Sequence, residues 1–181
     1  MFKRITNPMV RGLLEWLAAI GFAVVLVFVV RNFLFRMAHV DGNSMSPTLS
    51  DGDMVVLNRF SYVFSSPRAG DIVAFPNPNN PSEHFIKRVI GMPGDTIDLR
   101  EGVFYLNAVP LDDDFSRDVV FALGDMVFPV TMPEGLYFVL GDNRNGSMDS
   151  RFTSVGMIEG RDMIGRAVLR IWPLGSFGRV R

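Results

Sequence analysis

Cysteine is absent from the 181 residues, which excludes a thiol nucleophile, a disulfide framework and any thiolate metal site while leaving the redox compartment open. Imidazole is scarce too. His39 and His84 are the two histidines, one in each of two separate segments, and isolated histidines are far more often surface or satisfied core residues than halves of a metal site. No metal and no organic cofactor is expected. Positive charge is not in excess either, since 18 Lys and Arg stand against 19 Asp and Glu. Without a broad basic surface to hold a phosphate backbone, nucleic acid is not an expected partner. What is present in quantity is apolar, 48% of the residues, enough for the core of one compact domain plus an appendage.

That appendage is "LLEWLAAIGFAVVLVFVVRNFLF", Leu13 to Phe35. At a helical rise of about 1.5 Å per residue it is long enough to cross about 30 Å of hydrocarbon. Its apolar residues cover every face, which argues against a helix lying on a soluble core. The uninterrupted core, Trp16 to Val30, is shorter, so a span needs Glu15 and Arg31 near the two interfaces, with Arg31 snorkelling outward. The following "RNFLFRMAHV" lacks a clear pair of small residues at cleavage spacing, so an uncleaved anchor is expected rather than a removed leader. Lys3, Arg4 and Arg11 before the segment against Arg31 and Arg36 after it favour, by a small margin, an N-terminus on the cytoplasmic side.

From Met37 onward short runs rich in valine, isoleucine and phenylalanine alternate with turn residues, the pattern of a β-rich domain. The expected strands are Met54 to Asn58, Asp71 to Phe75, Phe85 to Ile90, Thr96 to Arg100, Val103 to Asn107, Leu136 to Leu140 and Ile164 to Trp172, with a hairpin turn at "REG". "FPNPNNPSEH", Phe75 to His84, carries three prolines and is expected to arch over the surface instead of forming a central strand. Gly-Asp recurs at Gly52-Asp53, Gly70-Asp71, Gly94-Asp95, Gly124-Asp125 and Gly141-Asp142. Each is first a turn, in which glycine supplies positive φ and aspartate bonds the local backbone. The acidic run Asp112 to Asp114 reads as a solvated loop.

Chemistry concentrates in three stretches. "DGNSMSPTLSDGD", Asp41 to Asp53, presents Ser44 between a glycine and a proline, and a serine hydroxyl becomes a useful nucleophile near neutral pH only beside a base. A histidine base would need His39 or His84 with an orienting acid, and the elbow G-x-S-x-G is absent. No carboxylate stands out from the turn aspartates. In "HFIKRVIGMPGD" strand alternation puts Lys87 with Phe85 and Val89 on one face and Arg88 with Ile86 and Ile90 on the other, so one of these cations must face apolar neighbours. Burial disfavours a charged ammonium and can turn lysine into a base, whereas a guanidinium stays protonated. Taken alone, this segment fits a lysine snorkelling at a sheet edge better. The third stretch, "VLGDNRNGSMDSRF", Val139 to Phe152, is a dense polar loop. It is either a surface loop laced by weak ion pairs, or a support whose Ser147 hydrogen-bonds a neutral Lys87 amine aimed at Ser44.

"GNSMSPTL", "IKRVIGMPGD" and "GDNRNGSMDSR", in that order behind one apolar segment and ahead of "GRAVLRIWPL", together resemble the type I signal peptidase family over almost the whole chain. The resemblance implies a mostly β, signal-peptidase-like catalytic domain with one N-terminal transmembrane helix. It divides the chain into a cytoplasmic 1–12, a membrane helix 13–35 and an extracytoplasmic 36–181 with a small insertion near 100–133. It implies a serine endopeptidase of the bacterial cytoplasmic membrane, single-pass with its N-terminus inside, that removes signal peptides with small residues before the cleavage site from exported preproteins. Membrane lipid is the other expected partner.

By the same resemblance Ser44 is the acylating nucleophile, Lys87 the general base and Ser147 the residue orienting the lysine. The Ser44 N–H helps to bind the oxyanion, a contact whose loss costs about 3 to 4 kcal/mol. Arg88 pairs with Asp142 and Asp149 with Arg151 as structural ion pairs. Gly42 stands where some members carry a serine hydroxyl for the oxyanion hole, and its bare backbone lets a substrate strand approach closely. Met45 and Ile86 are expected to line the substrate pockets, and Pro47 to start a short helical turn behind Ser44. For "RFSYVF", Arg59 to Phe64, and for Trp172, a rest on the lipid interface and ordinary core packing are both open. Two other readings remain: a tethered β-domain that binds exported peptides without cutting them, and a self-processing serine-lysine peptidase.

Overall fold

The computed structural model describes residues 8–29, 34–112 and 119–180. It opens with helix α1, Pro8–Val29, whose segment Met9–Phe28 is long and apolar enough to cross a membrane, with none of its most apolar stretch buried inside the structure. The helix therefore begins and ends earlier than the expected 13–35. Phe35 is already the first residue of a strand, held in register opposite Asn58, because an apolar run by itself does not mark where helix gives way to sheet. Glu15 is matched one turn away by Arg11, whose Nε donates to it at 2.9 Å, so its charge is paired near the start of the helix. Arg31 lies outside the described residues.

The remaining chain forms strands β1 (Phe35–His39), β2 (Met54–Asn58), β3 (Ile72–Asn77), β4 (Asn80–Gly91), β5 (Thr96–Arg100), β6 (Val103–Leu106), β7 (Val109–Pro110), β8 (Val130–Thr131), β9 (Leu136–Leu140), β10 (Ile158–Glu159), β11 (Gly165–Trp172) and β12 (Gly178–Arg179), with a one-turn helix α2 at Ser61–Phe64 between β2 and β3. The larger sheet runs β1-β2-β11-β3-β4-β9-β10 with β12 beside β11, and the smaller runs β7-β6-β5-β8. Alternation accounts for the inward residues: in β2, Val55 and Leu57 are buried while their neighbours are half-buried. The "REG" turn is a tight hairpin, Glu101 and Gly102 both at positive φ between the paired Arg100 and Val103, as its twist requires.

One expectation is corrected. "FPNPNNPSEH" does not arch; β3 and β4 continue through it as a projecting ribbon, with Pro76 opposite His84, Asn77 opposite Asn80 and an irregularity between. Proline is tolerated because β4 meets β9 only through Arg88, Val89 and Gly91, so the ribbon has a free outer edge that needs no donor.

Four of the five Gly-Asp pairs use their glycine at positive φ, namely Gly52, Gly70, Gly94 and Gly124. Asp53, Asp71 and Asp95 each accept a backbone N–H from three residues upstream. The fifth pair, Gly141-Asp142, departs from this pattern and belongs to the site.

The two sheets share a core through aromatic rings. Phe138 of β9, fully buried, meets Phe104 of β6 and Phe128 edge-on, with centroids 6.5 and 6.1 Å away, and Ile90, Ile97, Met132 and Leu140 fill the space around them. Phe138→Ala is expected to cost about 3 to 5 kcal/mol, read as a lowered denaturation midpoint of the detergent-solubilised chain.

Candidate active site

The loop carrying Ser44 is closed at its neck and pinned from below. Val40 N–H donates to Asp53 O at 2.8 Å and Gly52 N–H to Val40 O at 2.9 Å. Gly42, at φ +84 with open space over its Cα, donates its N–H to Asp51 Oδ1 at 2.7 Å. Behind the serine the chain makes turns over 44–48, one of them closed by Leu49 N–H donating to Met45 O at 2.9 Å, and with the Ser46-Pro47 bond cis Pro47 lies within that turn instead of starting it. Met45 and Leu49 plunge into the core beside Val40, Val55 and Ile86. Ser44, left between them, is half-exposed. A substrate can therefore reach it while its backbone stays fixed.

Lys87 arrives from the middle of β4, opposite Val73. Its Nζ donates to Ser44 Oγ at 2.8 Å and to Ile86 O at 3.1 Å and lies 4.9 Å from the centre of the Phe85 ring. The residue is 3% exposed and makes no ion pair among the described residues. Loss of hydration pulls its pKa down from 10.5 to about 8, against the weaker upward pull of Asp149 and Asp142, so a neutral amine is accessible near physiological pH. The expectation that one of the two adjacent cations faces apolar surroundings is too narrow: Arg88, 4% exposed, is buried as well. The difference is partnership. Arg88 grips Asp142 with Nε and Nη2, both at 2.8 Å, and donates Nη1 to Gly70 O at 2.9 Å.

Asp142 is also the acceptor for Thr48 Oγ1, which ties the serine loop to the strand bearing the lysine. Asp149 and Arg151 form a second bidentate pair at 2.7 and 2.8 Å, both fully buried, and Asp149 Oδ2 accepts the Gly141 N–H at 3.0 Å. Two such charge-assisted clamps hold the 141–151 loop against the end of β9. Gly141 has no positive φ to justify it. A Cβ there would meet Ser147 Oγ at 2.2 Å and Ser44 O at 2.4 Å, so only glycine lets the loop close over the serine.

Ser147 is thus brought beside Ser44, but it does not make the expected bond to Lys87. Its Oγ is buried and, among the described residues, has no hydrogen-bond partner. The loop's contacts to the serine come instead from Asn143, whose backbone N–H donates to Ser44 O and whose Nδ2 donates to Asn43 O, each at 3.1 Å. Sequence reasoning missed Thr48, Asn143 and the steric role of Gly141. A threonine in a turn and an asparagine in a polar loop have ordinary local uses, and only the fold brings them onto Asp142 and Ser44.

Beside the pair opens a groove of about 630 Å³ between β1 and the ribbon, lined by Ala38, Leu57, Phe85, Ile86 and Ile164 and flanked by Arg36, His39, Asp41, Glu83 and His84. Ile86 is among its lining residues. Met45 is not; at 1% exposure it is core beneath the loop, where the turn packs it with Val40, Leu49, Val55 and Ile86. Among the described residues no group of three or more His, Asp or Glu could hold a metal ion.

A serine hydroxyl against a buried amine, in a β-fold with an open apolar groove, is hydrolase equipment. The family described as "Signal peptidase, peptidase S26" matches residues 13–172. A signal peptidase I of Leptolyngbya laminosa is 38% identical over 176 residues, 93% of this chain and 84% of that protein. One from Bacillus amyloliquefaciens is 34% identical over 94% of each. A crystal structure of a signal peptidase I from Enterococcus faecalis is 33% identical, with a TM-score of 0.46 over 56% of this chain and 97% of that one. The chain belongs to the signal peptidase family, peptidase S26, and is a hydrolase. Gly141→Ala is expected to misplace Ser44 and Ser147 and to lower kcat/KM about a hundredfold or more, measured on a peptide substrate.

Proposed function

We propose that this chain cleaves signal peptides from exported preproteins by a Ser44–Lys87 dyad while anchored in a bacterial cytoplasmic membrane. The observation that carries the reading is the 2.8 Å contact between Ser44 Oγ and an amine that burial has weakened to a pKa of about 8. In the neutral state of Lys87 the same contact runs the other way, with the hydroxyl donating to the amine. Ser44 Oγ attacks the scissile carbonyl as its proton passes to Nζ, and the resulting ammonium returns that proton to the leaving amine. A water deprotonated by the same amine then hydrolyses the acyl ester. The oxyanion has a donor in the Ser44 N–H, which makes no hydrogen bond among the described residues. The Gly42 N–H is occupied by Asp51, so Gly42 contributes open backbone rather than a donor.

The groove supports substrate entry as an added strand: its apolar floor at Ala38, Leu57, Ile86 and Ile164 suits small side chains, and the free edge of the β4 ribbon offers backbone groups. Buried beside Ser44 with a spare hydroxyl, Ser147 orients the lysine by turning onto Nζ in the neutral-amine state. Helix α1 crosses the bilayer with its N-terminus inside, and 36–181 is the extracytoplasmic catalytic domain. Core packing accounts for Tyr62 of α2 but not for Phe60, Val63, Phe64 and Trp172, which are half or more exposed. The turn holding α2 is tied to the chain leaving the anchor by Arg59 N–H donating to Leu34 O at 3.0 Å, a fitting place for a rest on lipid.

The rate is expected to rise about tenfold per pH unit up to about pH 8 and to level off above it, because only the neutral amine accepts the proton. A kcat/KM flat from pH 6 to 9 would contradict the dyad. Lys87→Ala should abolish cleavage of a model preprotein with the fold intact by circular dichroism. Cleavage left unchanged by Lys87→Ala would contradict the dyad, whereas if no preprotein were ever cut and signal-peptide binding persisted, the peptide-binding reading would replace this one. A defined fragment of the chain's own sequence on incubation would favour self-processing. Ser147→Ala breaks no hydrogen bond of the resting site, so stability should change by less than about 0.5 kcal/mol, yet kcat should fall at least about tenfold with the pH midpoint displaced.

A further inference from the structure

Residues 119–123, "VVFAL", carry no charge and are displayed like one strand of an unfinished sheet. Val119, Phe121 and Leu123 point outward, Phe121 at 77% exposure, while Val120 between them is buried in the core shared by the two sheets. Outward aromatic and aliphatic side chains in a row call for an occupant. The row is also rigidly held. Asn145 Oδ1 accepts the N–H of Phe121 at 2.9 Å and of Ala122 at 3.3 Å, and its Nδ2 donates to Val119 O at 3.2 Å. Arg151 donates Nη1 to Ala122 O, and its own carbonyl accepts the N–H groups of Asp125 and Met126 at 3.1 and 2.9 Å. Gly124, at φ +77, seats the turn directly on Arg151, where a Cβ would lie 2.3 Å from the carbonyl oxygen.

Its place relative to the reacting atoms follows from the order of elements along β4. Residues 82–86 line the groove, Lys87 meets Ser44, and Arg88 pairs with Leu140, from which the chain runs into the 141–151 loop. That loop touches Ser44 through Asn143 on one side and holds 119–122 through Asn145 on the other. The groove and the apolar row therefore reach the serine from different chain segments, the one through β4 and the other through the 141–151 loop.

We infer that Val119, Phe121 and Leu123 form a docking surface for apolar side chains in the first few residues after the scissile bond, so that this enzyme selects its substrates on the mature side of the cut as well as on the signal side. The inference rests on the proposed peptidase function and names a second substrate determinant for it. Asn145 is the positioning residue: it shapes the surface without touching the substrate.

The test uses the full-length chain in detergent micelles and two synthetic peptides identical through the cleavage site, with alanine as the first and third residues before it. After it, one carries Phe and Leu and the other Ser and Gln. The ratio of their kcat/KM values is expected to favour the apolar peptide about tenfold, the range one apolar group gives in a fitted site. Phe121→Ser should bring that ratio close to one, Phe121→Leu should keep most of it, and Val127→Ser, beyond Gly124, should leave it alone. A wild-type ratio near one, or a ratio unmoved by Phe121→Ser, overturns the inference while the peptidase reading stands. Cleavage of neither peptide overturns both. If Phe121→Ser acts only in phosphatidylglycerol vesicles and equally on the two peptides, the row meets lipid and the inference fails. If Val127→Ser lowers the ratio as much, the effect is a loosened loop and the inference likewise fails.

Discussion

Hydration lost by a single amine governs this molecule. Two cations stand next to each other in β4 and both are buried, but the sheet gives only Arg88 a carboxylate. A guanidinium can neither shed its proton nor be left alone in a low dielectric, so Asp142 must be there. Lysine has the other way out. With no anion in contact and a hydroxyl and a carbonyl as its near neighbours, Lys87 sheds its proton more readily. The burial that would otherwise destabilise the strand is what makes a neutral amine accessible beside Ser44.

The surrounding architecture keeps that amine and hydroxyl in register. Asp142 accepts from Arg88 on β4 and from Thr48 on the serine loop, so one carboxylate couples the two chain segments that carry Lys87 and Ser44. Asp149 with Arg151 does the corresponding work inside the 141–151 loop and also binds Gly141, the residue whose missing side chain lets Ser147 and Ser44 approach. Buried pairs of this kind add little net stability against an apolar alternative, but breaking one is expensive. Their value here is positional. The shared aromatic core of Phe104, Phe128 and Phe138 in turn stops the smaller sheet from pivoting on β9, whose end launches the loop.

The β-rich nature of the domain is legible in the chain because alternation and turn residues are local signals. β2, β5 and β9 begin and end where their apolar runs do, and the turn glycines fall where positive φ is required. The motif stretches around Ser44, Lys87 and Asp142 are legible too, through their joint resemblance to one family. What local signals misjudge is context. Phe35 reads as the tail of the helix but pairs in a sheet, and the proline-rich ribbon reads as an arch because nothing in its own residues reveals that one edge will be free. Met45 reads as a pocket residue but turns into the core.

The sequence by itself determined which chemistry was possible: with no cysteine and two scattered histidines, a serine nucleophile had to look to lysine or a carboxylate. Tertiary structure decided which lysine state the chain can use and what stands around it. Burial and proximity are properties of segments more than forty residues apart in the chain brought together, and the cost of dehydrating a charge depends on every neighbour, not on the residue that carries it. For the same reason Asn145, an unremarked residue of a polar loop, acquires its meaning only when the fold lays Val119, Phe121 and Ala122 against it.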